Sequence, residues 1–213
     1  MTRTLPLASL LTALSLPAFA AEVAFDDQWQ TQKFPFQADN EYGLGGDTLT
    51  VASDDSVSLV YRRTPDLAGS ETASWTWDVL EGVPATDLSV KGGDDRNLAL
   101  YFVFSDPDTA TELEDASLRS LLNEDDVRIL VYVRGGQSAP GTVLDSPYLG
   151  ERGKTIVLSG TGTGAEEVDV NLTEDLQDAF GTRPSELLGI AVSSDSDDTD
   201  STVDATISGL TLK

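Results

Sequence analysis

Histidine and cysteine are both absent from the sequence. Without histidine there is no Ser-His-Asp triad, no Cys-His pair and no imidazole ligand for a metal. Without cysteine there is no disulfide, no structural zinc site and no thiol to carry a lipid at a leader cleavage point. Lysine is scarce, confined to Lys33, Lys91, Lys154 and Lys213. Chemistry is thereby left to carboxylate, hydroxyl, tyrosine, arginine and lysine groups. Metal binding is left to oxygen ligands, which suit Ca²⁺ or Mg²⁺.

Acid dominates what is present. The 213 residues carry 37 Asp and Glu against 13 Lys and Arg, a formal net charge of −24. Such a surface repels phosphate backbones and anionic headgroups, which argues against nucleic acid as a partner. Most of this acid reads as a hydrated surface suited to a saline habitat. A few of the carboxylates read as ligands of a divalent cation, and the two readings are compatible.

The first 20 residues, MTRTLPLASLLTALSLPAFA, have the three parts of a secretory leader. Arg3 is the basic start, Leu5–Leu16 the uncharged apolar run, and Ala18-Phe19-Ala20 the small-x-small cleavage site. The run is short of the ~20 residues that span a bilayer. The expected mature chain is one domain over residues 21–213, without a membrane span, in a periplasm or outside the cell. A chain of that size can bury its own core.

Most of that chain alternates with period two and is punctuated by Gly, Pro, Asn and Asp, the pattern of β-strands. Strands are expected at 47–52, 56–62, 73–80, 97–104, 127–134, 154–159, 167–172, 188–193 and 203–212. Gly45-Gly46 and Ser53-Asp54-Asp55 suit hairpin connections. Many short antiparallel strands in one domain predict an all-β sandwich. Two helices interrupt it. Asp108 or Thr109 is the expected cap of Ala110–Leu122, and Thr173 that of Glu174–Phe180, which stops at Gly181. The connection Gly135–Gly150 is long for a sandwich, a feature of functional or mobile loops.

Three stretches carry candidate chemistry. In SWTWDV, Trp75 and Trp77 share one strand face about 7 Å apart. They form either a platform for sugar rings or two anchors of the core. In KGGDDRNLALYFVF, alternation puts Asp94 with Arg96 and Leu98, and Asp95 with Asn97 and Ala99. An acid on the apolar side would need Arg96 or Lys91 as partner. In SSDSDDTDSTVDATI, two strand-like segments bracket Asp195, Asp197, Asp198 and Asp200. Their spacing can converge oxygens on Ca²⁺. It does not follow an EF-hand loop, which would place an acid or amide at 199, glycine at 200 and glutamate at 206. The alternative is a solvated hairpin loop.

KGGDDR before an aromatic strand, SWTWDV, SPY, AFG before a proline, and GIAVSSDSDDTDS before a short closing strand resemble bacterial exported proteins grouped as domain of unknown function 3047. The resemblance runs from Phe25 to Leu212. It is carried by Trp75, Trp77, Lys91, Asp94, Asp95, Pro147, Tyr148, Ala179-Phe180-Gly181, Asp195, Asp197, Asp198 and Thr199. It implies a jelly-roll, galactose-binding-like sandwich and no assigned activity. The chain departs from the pattern at Arg134, where relatives carry Trp, and in GTGTGAEEVDVN before Thr173.

The expectation is an exported binding module for carbohydrate or another envelope or extracellular ligand, stabilised by Ca²⁺. Trp75, Trp77 and Tyr148 are its candidate ligand-binding aromatics. Asp94, Asp95, Asp195, Asp197, Asp198 and Asp200 are its candidate metal ligands. One alternative is a carboxylate-dependent glycoside-active enzyme, which needs two carboxyls of unlike pKa at a set separation. Another is a structural envelope protein or a partner of an exported protein, marked by an exposed apolar patch.

Overall fold

The computed structural model describes residues 20–213. The expected secretory leader lies outside them except for Ala20. Thirteen strands and three α-helices follow in order. They are β1 (Ala21–Glu22), β2 (Gln30–Lys33), β3 (Glu41–Leu44), β4 (Thr48–Asp54), β5 (Val57–Arg63), β6 (Thr72–Glu81), β7 (Arg96–Ser105), α1 (Pro107–Glu112), α2 (Leu118–Leu122), β8 (Arg128–Arg134), β9 (Val143–Ser146), β10 (Gly150–Ser159), β11 (Gly164–Asn171), α3 (Leu172–Phe180), β12 (Glu186–Asp195) and β13 (Thr202–Leu212). The nine expected strands are all present. The additional ones, β1, β2, β3 and β9, have two to four residues each, too few for alternation to mark.

The strands form two stacked sheets. One has the order β11-β6-β13-β4-β3, with β1 continuing the β4 edge of β13, and the other β2-β5-β12-β7-β8-β10-β9. The chain changes sheet after β1, β2, β4, β5, β6, β10, β11 and β12, the strand exchange of a jelly roll. Every pairing is antiparallel except β8 with β10. Parallel neighbours need a long connection, and the segment from Gly135 to Leu149 supplies it. Two expected hairpins are corrected by this topology. The connection expected at Ser53-Asp54-Asp55, and the aspartate-rich loop after β12 in its hairpin reading, both cross between sheets, so both lie at an end of the sandwich.

The inner faces meet in a core containing Trp75, Trp77, Phe102, Tyr132, Ile190 and Ile207. The six-stranded sheet is open to water on its other side, and β4, β6 and β13 alternate accordingly. The seven-stranded sheet is covered on both faces. Leu88, Leu113 and Leu121 pack over Ala99, Val103, Ile129 and Val131 on its outer face. That double burial explains why RNLALYFVFS and RILVYVR read as nearly unbroken apolar runs.

The helices start earlier than expected. Asp106 accepts from the Asp108 and Thr109 N–H groups at the start of α1, with Pro107 in the first turn where its missing N–H costs nothing. Ser117 caps a separate α2, so Ala110–Leu122 is two helices. For α3 the cap is Asn171, not Thr173, and Gly181 closes it in the left-handed conformation (φ 69°).

Candidate functional site

The turn before β7 and the turn after β12 are brought together because those strands are neighbours. Their pairing puts Arg96 opposite Asp195 and Ala99 opposite Ser193. Three steps on β7 thus face two on β12, a β-bulge. The bulge breaks the alternation expected for KGGDDRNLALYFVF. Leu98 faces the core between the sheets, while the Arg96 guanidinium meets Tyr101 and Ser193 on the outer face. Asp94 and Arg96 are therefore parted from the apolar stripe with which simple alternation grouped them.

Arg96 is the hub of the first cluster. Its Nη1 donates to Asp94 Oδ2 at 3.1 Å, Asp195 Oδ2 at 3.0 Å and the Asp94 carbonyl at 2.8 Å. Its Nη2 donates to the Tyr101 hydroxyl at 2.9 Å and Ser193 Oγ at 3.3 Å. All three charged side chains are about nine-tenths buried. Burial disfavours the Arg96 charge, yet Tyr101, Asp195 and Asp94 together hold its pKa above the ordinary arginine value. Asp195 behaves differently. Burial pushes it up to about 8 against the pull of Arg96, and neighbouring Asp197 and Asp94 add to the rise. Its Oδ1 is buried without a hydrogen-bond partner.

Asp95 is the hub of the second cluster and is fully buried. Its Oδ2 accepts from the Thr199 N–H at 2.8 Å and Thr199 Oγ1 at 2.5 Å, and its Oδ1 from the Asp198 N–H at 3.3 Å. Among the described residues no basic side chain pairs with it; backbone and hydroxyl donors of the aspartate-rich turn compensate it. One oxygen each of Asp95, Asp197 and Asp198 lie within 4.8 Å of one another. Burial and the charges of Asp197, Asp95 and Asp94 raise the Asp198 pKa. Asp200, exposed and left-handed at φ 47°, turns the corner outside this group.

Polar groups beneath the turn hold it to both sheets. Ser196 Oγ lies 2.7 Å from Ser53 Oγ, and Ser56 Oγ donates to Asn40 Oδ1 at 2.8 Å. Asn40 Nδ2 donates to the Ser194 carbonyl at 2.8 Å. Nothing in the sequence distinguishes these serines and this asparagine from solvated ones. Only their burial reveals them.

The three aromatic candidates separate. Trp75 and Trp77 are 3% and 0% exposed, with ring centroids 5.6 Å apart and planes at 77°. The sugar-platform reading is corrected for both: their strand face is the inner one, so they anchor the core. Tyr148 is 61% exposed. Its hydroxyl donates to Asp94 Oδ1 at 3.3 Å and Lys91 Nζ stands 5.2 Å from its ring centre. Partial burial and the Asp94 carboxylate push its phenol up to about 12. Phe36 is an aromatic that alternation overlooked. It is fully exposed in a turn tied to the site by Gln37, which donates to Asp197. Its φ of 71° is rare for a bulky side chain.

The KGGDD turn and the SSDSDDTD turn thus form one polar end of the sandwich. A family model described as protein of unknown function (DUF3047) matches residues 27–211. The chain belongs to the DUF3047 family. Both departures from the family pattern fall at this same DUF3047 end of the sandwich: Arg134 pairs with Leu98, two residues beyond Arg96, and with Ser159 where β10 ends. Arg134 is buried between the sheets, donating to the carbonyls of Trp77 at 3.4 Å and Gly162 at 3.3 Å. GTGTGAEEVDVN forms the β10–β11 turn and the edge strand β11.

No curated protein matches the DUF3047 chain. Among solved structures it is similar to the xyloglucanase domain of NopAA, a type three effector from Sinorhizobium fredii, at 8% identity and TM-score 0.46, over 93% of this chain and 99% of that one. It is also similar to a family 12 xyloglucanase from Bacillus licheniformis, at 8% and 0.48, over 92% and 99%. An endoglucanase from Rhodothermus marinus gives 12% and 0.46, over 92% and 99%. Likeness at these levels carries no argument about ligand or reaction. Among the described residues no helix is long and apolar enough to cross a membrane.

Proposed function

We propose that the chain is an exported, non-catalytic binding module whose ligand-facing end is organised by Ca²⁺ and receives an extracellular ligand of carbohydrate type. The observation that carries this is the meeting of Asp95, Asp197 and Asp198 oxygens within 4.8 Å. The nearby cations are engaged elsewhere: Arg96 with Asp94 and Asp195, Lys91 over Tyr148. Carboxylates that close repel one another unless a cation or proton intervenes. Ca²⁺ takes six to eight oxygens, and three carboxylates with water satisfy it. Asp195 Oδ1, buried and unpartnered with its carboxyl against Asp197, is a second pointer to a missing positive group. Tyr148 and Phe36 supply exposed aromatic faces beside the acids, the kind of surface on which a sugar ring stacks.

The test is a thermal melt at low ionic strength with Ca²⁺ or a chelator. At about 100 times Kd the ion should add ~2.7 kcal/mol, some 5–10 °C for a chain this size. The Asp197→Asn, Asp198→Asn double variant should lose the shift. Glycan binding should require both Ca²⁺ and Tyr148. Absence of any Ca²⁺ shift sinks the metal reading. The raised pKa of Asp195 favours the enzyme alternative, since a general acid needs such a group. Its burial favours binding. Hydrolysis in a screen of envelope glycans, lost in Asp195→Asn, would replace binding by catalysis.

A further inference from the structure

Two clefts lie toward the opposite end of the seven-stranded sheet, where β7 finishes and β8 begins. One, of about 230 Å³, is lined by Asp106, Asp126, Arg128, Thr182, Arg183 and Ser185, with two prolines. The other, of about 420 Å³, is lined by Asp125, Arg128, Leu149, Glu151 and Arg152, with one glycine. Arg128 borders both. In a chain of 37 acids, none of these three arginines forms an ion pair among the described residues; the pairs use other cations.

Backbone carbonyls hold two of them, Arg128 and Arg152. Arg128 Nη1 donates to the carbonyls of Asp125 at 2.6 Å and Val127 at 2.9 Å. Arg152 Nη1 donates to those of Leu122 and Glu124, the latter at 3.3 Å. Each guanidinium is fixed in place through one nitrogen without having its charge cancelled. Arg183 is exposed. The acids of the lining are not directed at the arginines: Asp106 is occupied with the N–H groups of Asp108 and Thr109 and the Thr109 hydroxyl.

We propose that these joined clefts bind a small carboxylate-bearing polyol of the uronic-acid class. The carboxylate would lie on the Arg128 and Arg183 forks, and the hydroxyls on Asp126, Thr182 and Ser185. A planar fork matches a carboxylate in two-point contact. Together the clefts set Arg128, Arg152 and Arg183 against Asp106, Asp125, Asp126 and Glu151, a lining that tolerates one added negative charge better than the two of phosphate. The lining contains no aromatic ring on which a neutral sugar could stack. The site is separate from the Ca²⁺ end, and neither reading depends on the other.

The test uses the mature chain in chelator, followed by amide resonances, with galacturonate, glucose, glutamate and inorganic phosphate as probes. Galacturonate should shift the resonances of Arg128, Arg183 and Ser185 at millimolar concentration, and glucose should not. Arg183→Gln should weaken the binding about tenfold or more, with an unchanged melt because Arg183 is exposed. Four results would each overturn the proposal. They are no shift with galacturonate, equal shifts with glucose, tighter binding of phosphate or glutamate, or unaltered affinity in Arg183→Gln.

Discussion

Replacing Asp95 by asparagine tests whether this one buried carboxylate holds the aspartate-rich turn. The side chain is inaccessible to solvent and accepts three hydrogen bonds, from the Thr199 N–H and hydroxyl and from the Asp198 N–H. An amide has one acceptor oxygen. Placed where Oδ2 now lies, it keeps the two Thr199 bonds but turns its NH₂ toward the Asp198 N–H, donor against donor. Bonds to a charged acceptor are worth about 1.5–3 kcal/mol and neutral ones about 0.5–1.5, so the retained pair loses roughly 1–1.5 each. The third bond adds roughly 1 more. Relief from Asp197 and Asp198, which repel the charge, returns about 1–2 kcal/mol. The net loss expected is about 1–3 kcal/mol, a Tm lower by roughly 2–12 °C. Urea unfolding followed by the fluorescence of buried Trp75 and Trp77 measures it, in chelator so that no bound ion contributes. A variant within about 0.5 kcal/mol of the parent would refute the reasoning, since surface changes have effects of that size. In Ca²⁺ the gap between parent and variant should widen, because the variant also loses a ligand.

Other expectations follow from the same geometry. Asp195 titrates near 8 when folded, against an ordinary value of 3.8. The folded state therefore binds the extra proton between those pH values, and this group's contribution is full below pH 4, falls as pH rises to 8, and is level above. Melts across that window should show the decline, and Asp195→Asn should flatten it; an equal slope in the variant would assign the effect elsewhere. Ca²⁺ opposes the proton, so its stabilisation should grow over the same window, read as a larger shift at pH 8 than at pH 5. Trp75→Ala should cost about 3–5 kcal/mol as a core truncation. Tyr148→Ala should leave the urea midpoint nearly unchanged and remove glycan binding, and the reverse pattern would restore the tryptophans as ligand residues.

The DUF3047 chain shows where reading by period succeeds. Strands with one wet face, such as TLTVASD and TASWTWDVL, alternate because water selects one side and the core the other. Strands buried on both faces lose that signal but keep an apolar run long enough to be recognised. Short edge strands such as QTQK and EYGL carry neither mark. A period of two also says that Trp75 and Trp77 share a face without saying which face it is. That was settled by the second sheet laid over them.

The residues of the polar end were visible one by one as KGGDD and SDSDDTD, while their grouping was not. Sequence separates Asp95 from Thr199 by about a hundred positions, and strict alternation would have sent Asp94 and Arg96 toward the core. A bulge between β7 and β12 moved them to the outer face, and the cross-sheet turn after β12 carried Asp197 and Asp198 onto Asp95. Composition alone excluded imidazole and thiolate chemistry, because a residue that is absent cannot be supplied by folding. Which of 37 acids share a site was left to tertiary structure, because carboxylates interact through space over a few ångströms and strand register alone determines which of them come that close.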